Sequence, residues 1–187
     1  VCSRMLLVLV SMIWKTMNEI REEESIADRL CKGITDYLIR ISSLAINEKE
    51  HQHVASLLQI VSDIERISDY CENISEYAEN LANQKKKFSG VGAAEMKEML
   101  EVCSDSFTYA VEAFEENSAE KALKVIEKER SADDLEIRLR ADHMQRLANK
   151  QCDTEAGIVF LDALVGLERI SDHSRNIAEE VLSASNK

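Results

Sequence analysis

The sequence predicts an all-α protein made of two tandem three-helix bundles, and three observations carry that prediction. The first is a lack of punctuation. Across 187 residues there is no proline and there are only five glycines, whereas a sheet protein needs turn residues about every 8–12 positions. The second is a repeat. Glu-Arg-Ile-Ser-Asp occurs at Glu65–Asp69 and again, unchanged, at Glu168–Asp172, an offset of 103. The match continues through Asn73 with Asn176, Ile74 with Ile177 and Glu76 with Glu179. A period this long fits one duplicated domain rather than a solenoid. The third lies upstream of each copy: Glu24–Asp28 corresponds to Glu129–Asp133 at an offset of 105. Each half therefore carries two Glu-x-x-x-Asp motifs in the same order.

Taken in order, residues 1–46 read as helix almost throughout. Val1-Cys2-Ser3 echoes Val102-Cys103-Ser104, which makes Val1–Trp14 the remnant of the first helix of the first half. From these echoes to the first motif is 23 residues in one half and 27 in the other, so the first bundle is expected to be about one turn shorter towards its N-terminus. The segment is expected to run on as one long helix to Ala45 or to bend near Thr16–Asn18. Its apolar seam is read as Ala27, Leu30, Ile34, Tyr37, Ile41 and Leu44, at the alternating three-and-four spacing of one helix face. Asn47-x-x-Glu50 is a capping-box signature. It opens a helix over Lys49–Ala82 with a seam at Ile60, Ile64, Ile67, Cys71, Ile74, Ala78 and Leu81. Gln84–Gly92, QKKKFSGVG, is the one clear break: a basic run near a helix end, then two glycines. The expected division is a first repeat over 1–84, a linker over 85–92 and a second repeat over 93–187. The second repeat reads as helices over Ala94–Glu116, Ala119–Lys150 and Glu155–Ser185. Asn117-x-x-Glu120 is expected to cap the second of these, and Asp153 or Thr154 the third. Loops this short make neighbouring helices antiparallel.

Charge narrows the chemistry. A formal net charge of −12 argues against nucleic acid and anionic membrane surfaces, which need basic patches, and suits cations. Five scattered cysteines without a C-x-x-C read as a reduced, cytoplasmic chain rather than a disulfide framework or a zinc site. Met5–Trp14 is apolar but only ten residues long, short of the ~20 that span a bilayer, and is read as core packing. The chain opens on Val1, which leaves room for a preceding transmembrane region.

Residues i and i+4 stack on one helix face, so each Glu-x-x-x-Asp presents two carboxylates side by side. A single such motif means little among 35 acidic residues; the paired arrangement in both halves is what carries information. The acidic stripe Glu65, Asp69, Glu72 and Glu76 runs beside the apolar seam, on a flank expected to face another helix. Two carboxylates ~5 Å apart repel by roughly 3 kcal/mol at an effective dielectric of 20, and four facing one another either raise their pKa values or recruit a cation. Oxygen-only ligands suit magnesium, manganese, calcium or ferric iron better than structural zinc. Arg66 and Arg169, each following a motif Glu, read equally as groups that orient the carboxylates or as surface salt bridges. Asn73 and Asn176 are expected to bond between helices, His51 and His53 to be exposed, and Cys71 to be a small core residue. No phosphate-cradling glycine loop, nucleophile elbow or Cys/His pair is present. A di-metal carboxylate enzyme, whose paired carboxylates could support hydrolysis or redox chemistry, is the second alternative, and an adaptor with empty acidic grooves is the third.

Assembled in this way, ERISDYCENI and LERISDHSRNIAEEVL resemble the hallmark segments of the PhoU family, and the resemblance covers nearly the whole chain. Glu155–Asp162, EAGIVFLD, resembles a run typical of the PhoU-like cytoplasmic domain at the C-terminal end of bacterial sodium/phosphate cotransporter-like proteins. The resemblance implies that Glu24, Asp28, Glu65 and Asp69 line a metal site in the first bundle, and Glu129, Asp133, Glu168 and Asp172 one in the second. Family members hold iron or zinc clusters on such sites, and iron, zinc, manganese or magnesium are the cations expected here. It also implies a non-enzymatic regulator of phosphate uptake, cytoplasmic, whose partner is a phosphate-transport membrane domain or a phosphate-signalling protein. A free-standing regulator of phosphate transport is the alternative, and a homodimer is compatible with either. One departure is Tyr70, at a position where the second half has His173 and the family commonly has histidine, so the two sites are not expected to be equivalent.

Overall fold

The computed structural model describes residues 17–185. Among the described residues there are five α-helices and no strand: α1 (Met17–Ser42), α2 (Glu48–Asn83), α3 (Gly90–Glu116), α4 (Ala119–Ala148) and α5 (Thr154–Ser185). The all-α expectation holds. The readings of Val1–Trp14 as a helix packed in the core, and of a bend near Thr16–Asn18, fall outside or at the edge of the described residues.

Local chemistry sets most helix ends. Asn47 accepts from the Glu50 N–H at 3.0 Å while Glu50 accepts from the Asn47 N–H at 2.8 Å, the reciprocal pair expected from the sequence. At α3 the cap is Ser89, whose Oγ accepts from the Gly92 N–H at 3.1 Å. Gly90–Gly92 are therefore the first turn of α3, and the break between the halves is confined to residues 84–89. Asn117 does not cap α4. It adopts the left-handed conformation, φ 49°, that closes α3, a geometry asparagine tolerates better than most residues. Ser118 takes the capping role, accepting from the Lys121 N–H. Asp153 caps α5 by accepting from the Ala156 N–H at 2.9 Å.

The first helix departs from its predicted seam. Ile20, Ala27, Cys31 and Leu38 are buried, whereas Leu30, Ile34, Tyr37 and Leu44 are exposed, Tyr37 by 64%. Both stripes have helical spacing; α1 docks on α2 through the one that faces Val54 and Val61. At the repeat offset, Leu30 and Ile34 correspond to Leu135 and Leu139, which are buried in the second bundle. The α2 seam is closer to expectation, with Ile60, Ile67, Cys71, Ile74 and Leu81 buried, although Ala78 is exposed.

The halves share a core. Ile60, Ile67, Cys71 and Ile74 of α2 belong to the same buried cluster as Cys103 and Phe107 of α3, Leu139 of α4, and Leu164 and Leu167 of α5. The helices α2 and α5 run antiparallel along this seam, where the Cβ that Gly166 lacks would sit 3.1 Å from Ile74. Ser56 donates to Glu180 across it, and a more buried polar network crosses it at Asp63. Asp63, 2% exposed, accepts from His173 Nδ1 at 2.8 Å, Asn176 Nδ2 at 3.0 Å and Gln59 Nε2 at 3.1 Å. Asn176 thus makes the interhelical bond expected of it, while its repeat counterpart Asn73 is exposed. Tyr70 stacks on the His173 ring at 5.9 Å.

A buried acceptor surrounded by donors is costly to delete, because the donors stay buried. Asp63→Ala should therefore lower unfolding free energy by about 1–3 kcal/mol with helix content unchanged, measured by urea titration followed by circular dichroism. An unchanged urea midpoint would mean that this network adds nothing to the seam.

Candidate metal centre

Each half brings one Glu-x-x-x-Asp motif on its first described or central helix against the motif of its last. In the first half, Glu24 and Asp28 lie one turn apart on α1 and meet Asp69 of α2; one carboxylate oxygen from each lies within 4.8 Å of the others. In the second half, Glu129 and Asp133 of α4 meet Asp172 of α5 in the same way. Among the described residues these are the two groups of three or more His, Cys, Asp or Glu side chains so arranged. Glu65 and Glu168 stand outside the triads, one turn before Asp69 and Asp172. Glu65 is exposed, and Glu168 is half-buried and shares a hydrogen bond with Asp172.

Crowding and burial show in the protonation of these groups. Burial first, then a hydrogen bond and the charge of Asp28, then Glu72 and Asp69, push the Glu24 carboxyl up to about 7. Glu168 is likewise raised to about 7, by burial and by the charges of Asp172 and Asp133, against the lowering effect of Arg169. Asp69 is raised by burial and Asp28 against Arg66. Asp133 is raised by burial, Glu129 and Asp172 against Arg175. Among the described residues, the buried Oδ1 of Asp133 has no hydrogen-bond partner. A hard multivalent cation fits this setting: an all-carboxylate donor set, like charges held together, and a buried acceptor without a donor.

The arginines that follow the motif glutamates form exposed pairs with the motif aspartates, Arg66 with Asp69 at 3.6 Å and Arg169 with Asp172 at 3.1 Å. Such pairs contribute little to stability. Sequence reasoning missed a different arginine. Arg175 reaches from α5 to Glu129 of α4, Nη1 to Oε1 at 2.9 Å, and bonds Glu179 on its own helix at 2.8 Å. The signal was available: Glu168, Asp172, Arg175 and Glu179 repeat the spacing of the stripe Glu65, Asp69, Glu72 and Glu76 with one charge reversed. His173 turns its Nδ1 to Asp63 rather than to the triad beside it.

The raised carboxyls have a sign. The folded pKa of Glu24 and Glu168 is about 7 against an ordinary 4.5, so the folded state holds extra protons between those values. The stability they contribute is present in full below the ordinary value and lost as pH rises through the folded one. A cation needs the ionised forms, so its binding should release protons near neutrality and tighten as pH rises. The metal-free protein should thus melt lower at pH 8 than at pH 5.5 relative to a Glu24→Gln, Glu168→Gln double variant. A variant that shows the same pH slope as wild type would contradict the assignment.

Comparison with known proteins gives the chain its relatives. The family model described as PhoU domain matches residues 4–78 and 96–181, once over each half. The phosphate-specific transport system accessory protein PhoU homolog 1 of Thermotoga maritima is 28% identical over 179 residues, covering 90% of this chain and 74% of that protein. Among solved structures, PhoU from Pseudomonas aeruginosa superposes with a TM-score of 0.86 at 21% identity, covering 99% of this chain and 88% of that one. The phosphate transport system regulatory protein PhoU from Streptococcus pneumoniae gives 0.80 at 20% identity, with 98% and 86% covered.

Proposed function

The chain belongs to the PhoU domain family, and from that membership and its two carboxylate triads we propose that it is an accessory regulator of phosphate transport that binds multivalent cations. The observation that carries the reading is the coincidence of the two family matches with the two triads: each matched half contributes one. The name of the Thermotoga maritima relative, and its coverage of 90% of this chain, support the accessory-protein form. The cytoplasmic part of a sodium/phosphate cotransporter-like protein, which Glu155–Asp162 suggested, ranks second because no relative described above carries that name.

In this reading Glu24, Asp28 and Asp69 hold a cation in the first half, with Glu65 beside them, and Glu129, Asp133 and Asp172 hold one in the second, with Glu168 beside them. A bound cation supplies charge neutralisation, which ties α1 to α2 and α4 to α5. The protein then acts by contact, cytoplasmic and against a phosphate-transport membrane component or a phosphate-signalling protein, rather than by turnover. No described helix is long and apolar enough to cross a membrane.

Two measurements test this. A cation that binds only the folded state stabilises by mass action, roughly 2.7 kcal/mol per site at 100 times the dissociation constant. Melting with manganese, magnesium, zinc and iron should therefore show a rise with at least one of them, reduced but not abolished by Glu168→Gln with Asp172→Asn. In the host, deleting the gene should uncouple radiolabelled phosphate uptake from external phosphate, and wild type should restore the coupling better than a variant neutralised at both triads. Uptake that responds to phosphate equally with and without the gene would remove the regulatory reading.

A further inference from the structure

The repeat that aligns the two triads also aligns a pair of opposite charges. At the offset of 103, Arg175 of α5 occupies the position of Glu72 in α2. Each stands three residues after its motif aspartate, hence on the same helix face as the triad. In the second half, the Arg175 guanidinium donates to Glu129 at 2.9 Å. Glu129 is 3% exposed, whereas Arg175 retains 44% of its side-chain exposure. In the first half, Glu72 instead adds a negative charge that Glu24 feels. Among the described residues no arginine of α1 is bonded to the triad: Arg21 lies on Glu76 and Glu79, at 3.8 and 3.4 Å, further along α2, and Arg29 donates to Ser25 at 3.2 Å. The pairs Arg66–Asp69 and Arg169–Asp172 occur in both halves and do not distinguish them. The swap therefore makes the surroundings of the two triads differ by two formal charges.

We propose that Arg175 is the resident counter-cation of the second triad, and that the Glu72/Arg175 swap makes the two triads unequal, the first taking a multivalent cation at lower concentration than the second. This rests on the cation-binding reading given above. A carboxylate as buried as Glu129 needs a compensating charge in the metal-free state, and Arg175 provides it from a half-exposed position. An incoming cation must share or take over Glu129 against that guanidinium. Among the described residues the first triad has Arg66 on Asp69, as the second has Arg169 on Asp172, but no counterpart of Arg175, and Glu72 adds attraction. The halves then fill in sequence as cation concentration rises, which gives a regulator two thresholds from one duplicated domain.

Manganese titration of the metal-free full chain, read by calorimetry and by the electron paramagnetic resonance signal of free Mn²⁺, tests this. Wild type should show two classes of site whose affinities differ at least tenfold. Glu24→Gln with Asp28→Asn should remove the tight class, and Glu129→Gln with Asp133→Asn the weak one. Arg175→Gln should tighten the weak class at least tenfold, while Arg175→Lys, which keeps the charge, should leave it near wild type. Without metal, Arg175→Gln should melt lower than wild type, because Glu129 loses its counter-charge, and should recover on adding Mn²⁺. If that variant does not fold, Glu72→Lys provides the converse test and should weaken the tight class towards the weak one. Equal affinities in wild type, or a weak class unmoved by Arg175→Gln, would overturn the role of Arg175 and leave cation binding standing. Absence of any binding of manganese, magnesium, zinc or iron would instead remove the cation-binding reading and this inference with it.

Discussion

A carboxylate with almost no solvent exposure sits where the two halves meet. Asp63 is charged only at the cost of desolvation, and His173, Asn176 and Gln59 offset that cost by converging on it. Around this point α2 and α5 lie antiparallel, and α5 also packs on α3 and α4. The apolar face of α2 is thereby drawn into the core of the second half, so the duplicated units are not independent bodies. Shifting one helix along the other would separate Asp63 from His173 and drive Ile74 against a residue other than Gly166. The register of this pair therefore fixes where α5 presents Asp172 and where α2 presents Asp69.

The triads are the counterpart of that constraint, since they store repulsion instead of relieving it. Packing that brings α1 to α2, and α4 to α5, forces three carboxylates together in each half and lifts Glu24 and Glu168 towards neutrality. Placing such groups where they oppose one another costs stability, and folds keep groups of this kind where function needs them. The two halves meet the cost differently. In the second, a guanidinium lies on Glu129; in the first, Glu72 stands at the matching position and adds to the repulsion that Glu24 feels.

The helical framework tolerates wide sequence change, as superposition at 20–21% identity with two PhoU structures indicates. What a helix pair requires is apolar volume at the seam and small residues where backbones approach, not particular side chains. The carboxylates are different, because their value lies in position and charge. This separates the structural part of the sequence from the chemical part.

Much of this was legible from the amino acids alone. The helices, the capping box at Asn47, the duplication and the eight motif carboxylates follow from local rules: spacing on a helix face, side chains that bond nearby backbone, and self-similarity at a fixed offset. The local rules also misled at specific places. Two apolar stripes on α1 share helical spacing, and only docking on α2 decided that Ala27, Cys31 and Leu38 are inside while Leu30, Ile34 and Tyr37 are not. Asn117 and Ser118 are both good caps, and only the left-handed turn ending α3 settled their roles. Nor does i, i+4 spacing say which carboxylate of one helix meets which of another. The choice of Asp69 and Asp172 over Glu65 and Glu168, the reach of Arg175 to Glu129, and the pairing of Asp63 with His173 all depend on the axial register between helices. That register is set by side-chain packing summed over whole seams between residues far apart in the chain, and so it belongs to the tertiary structure.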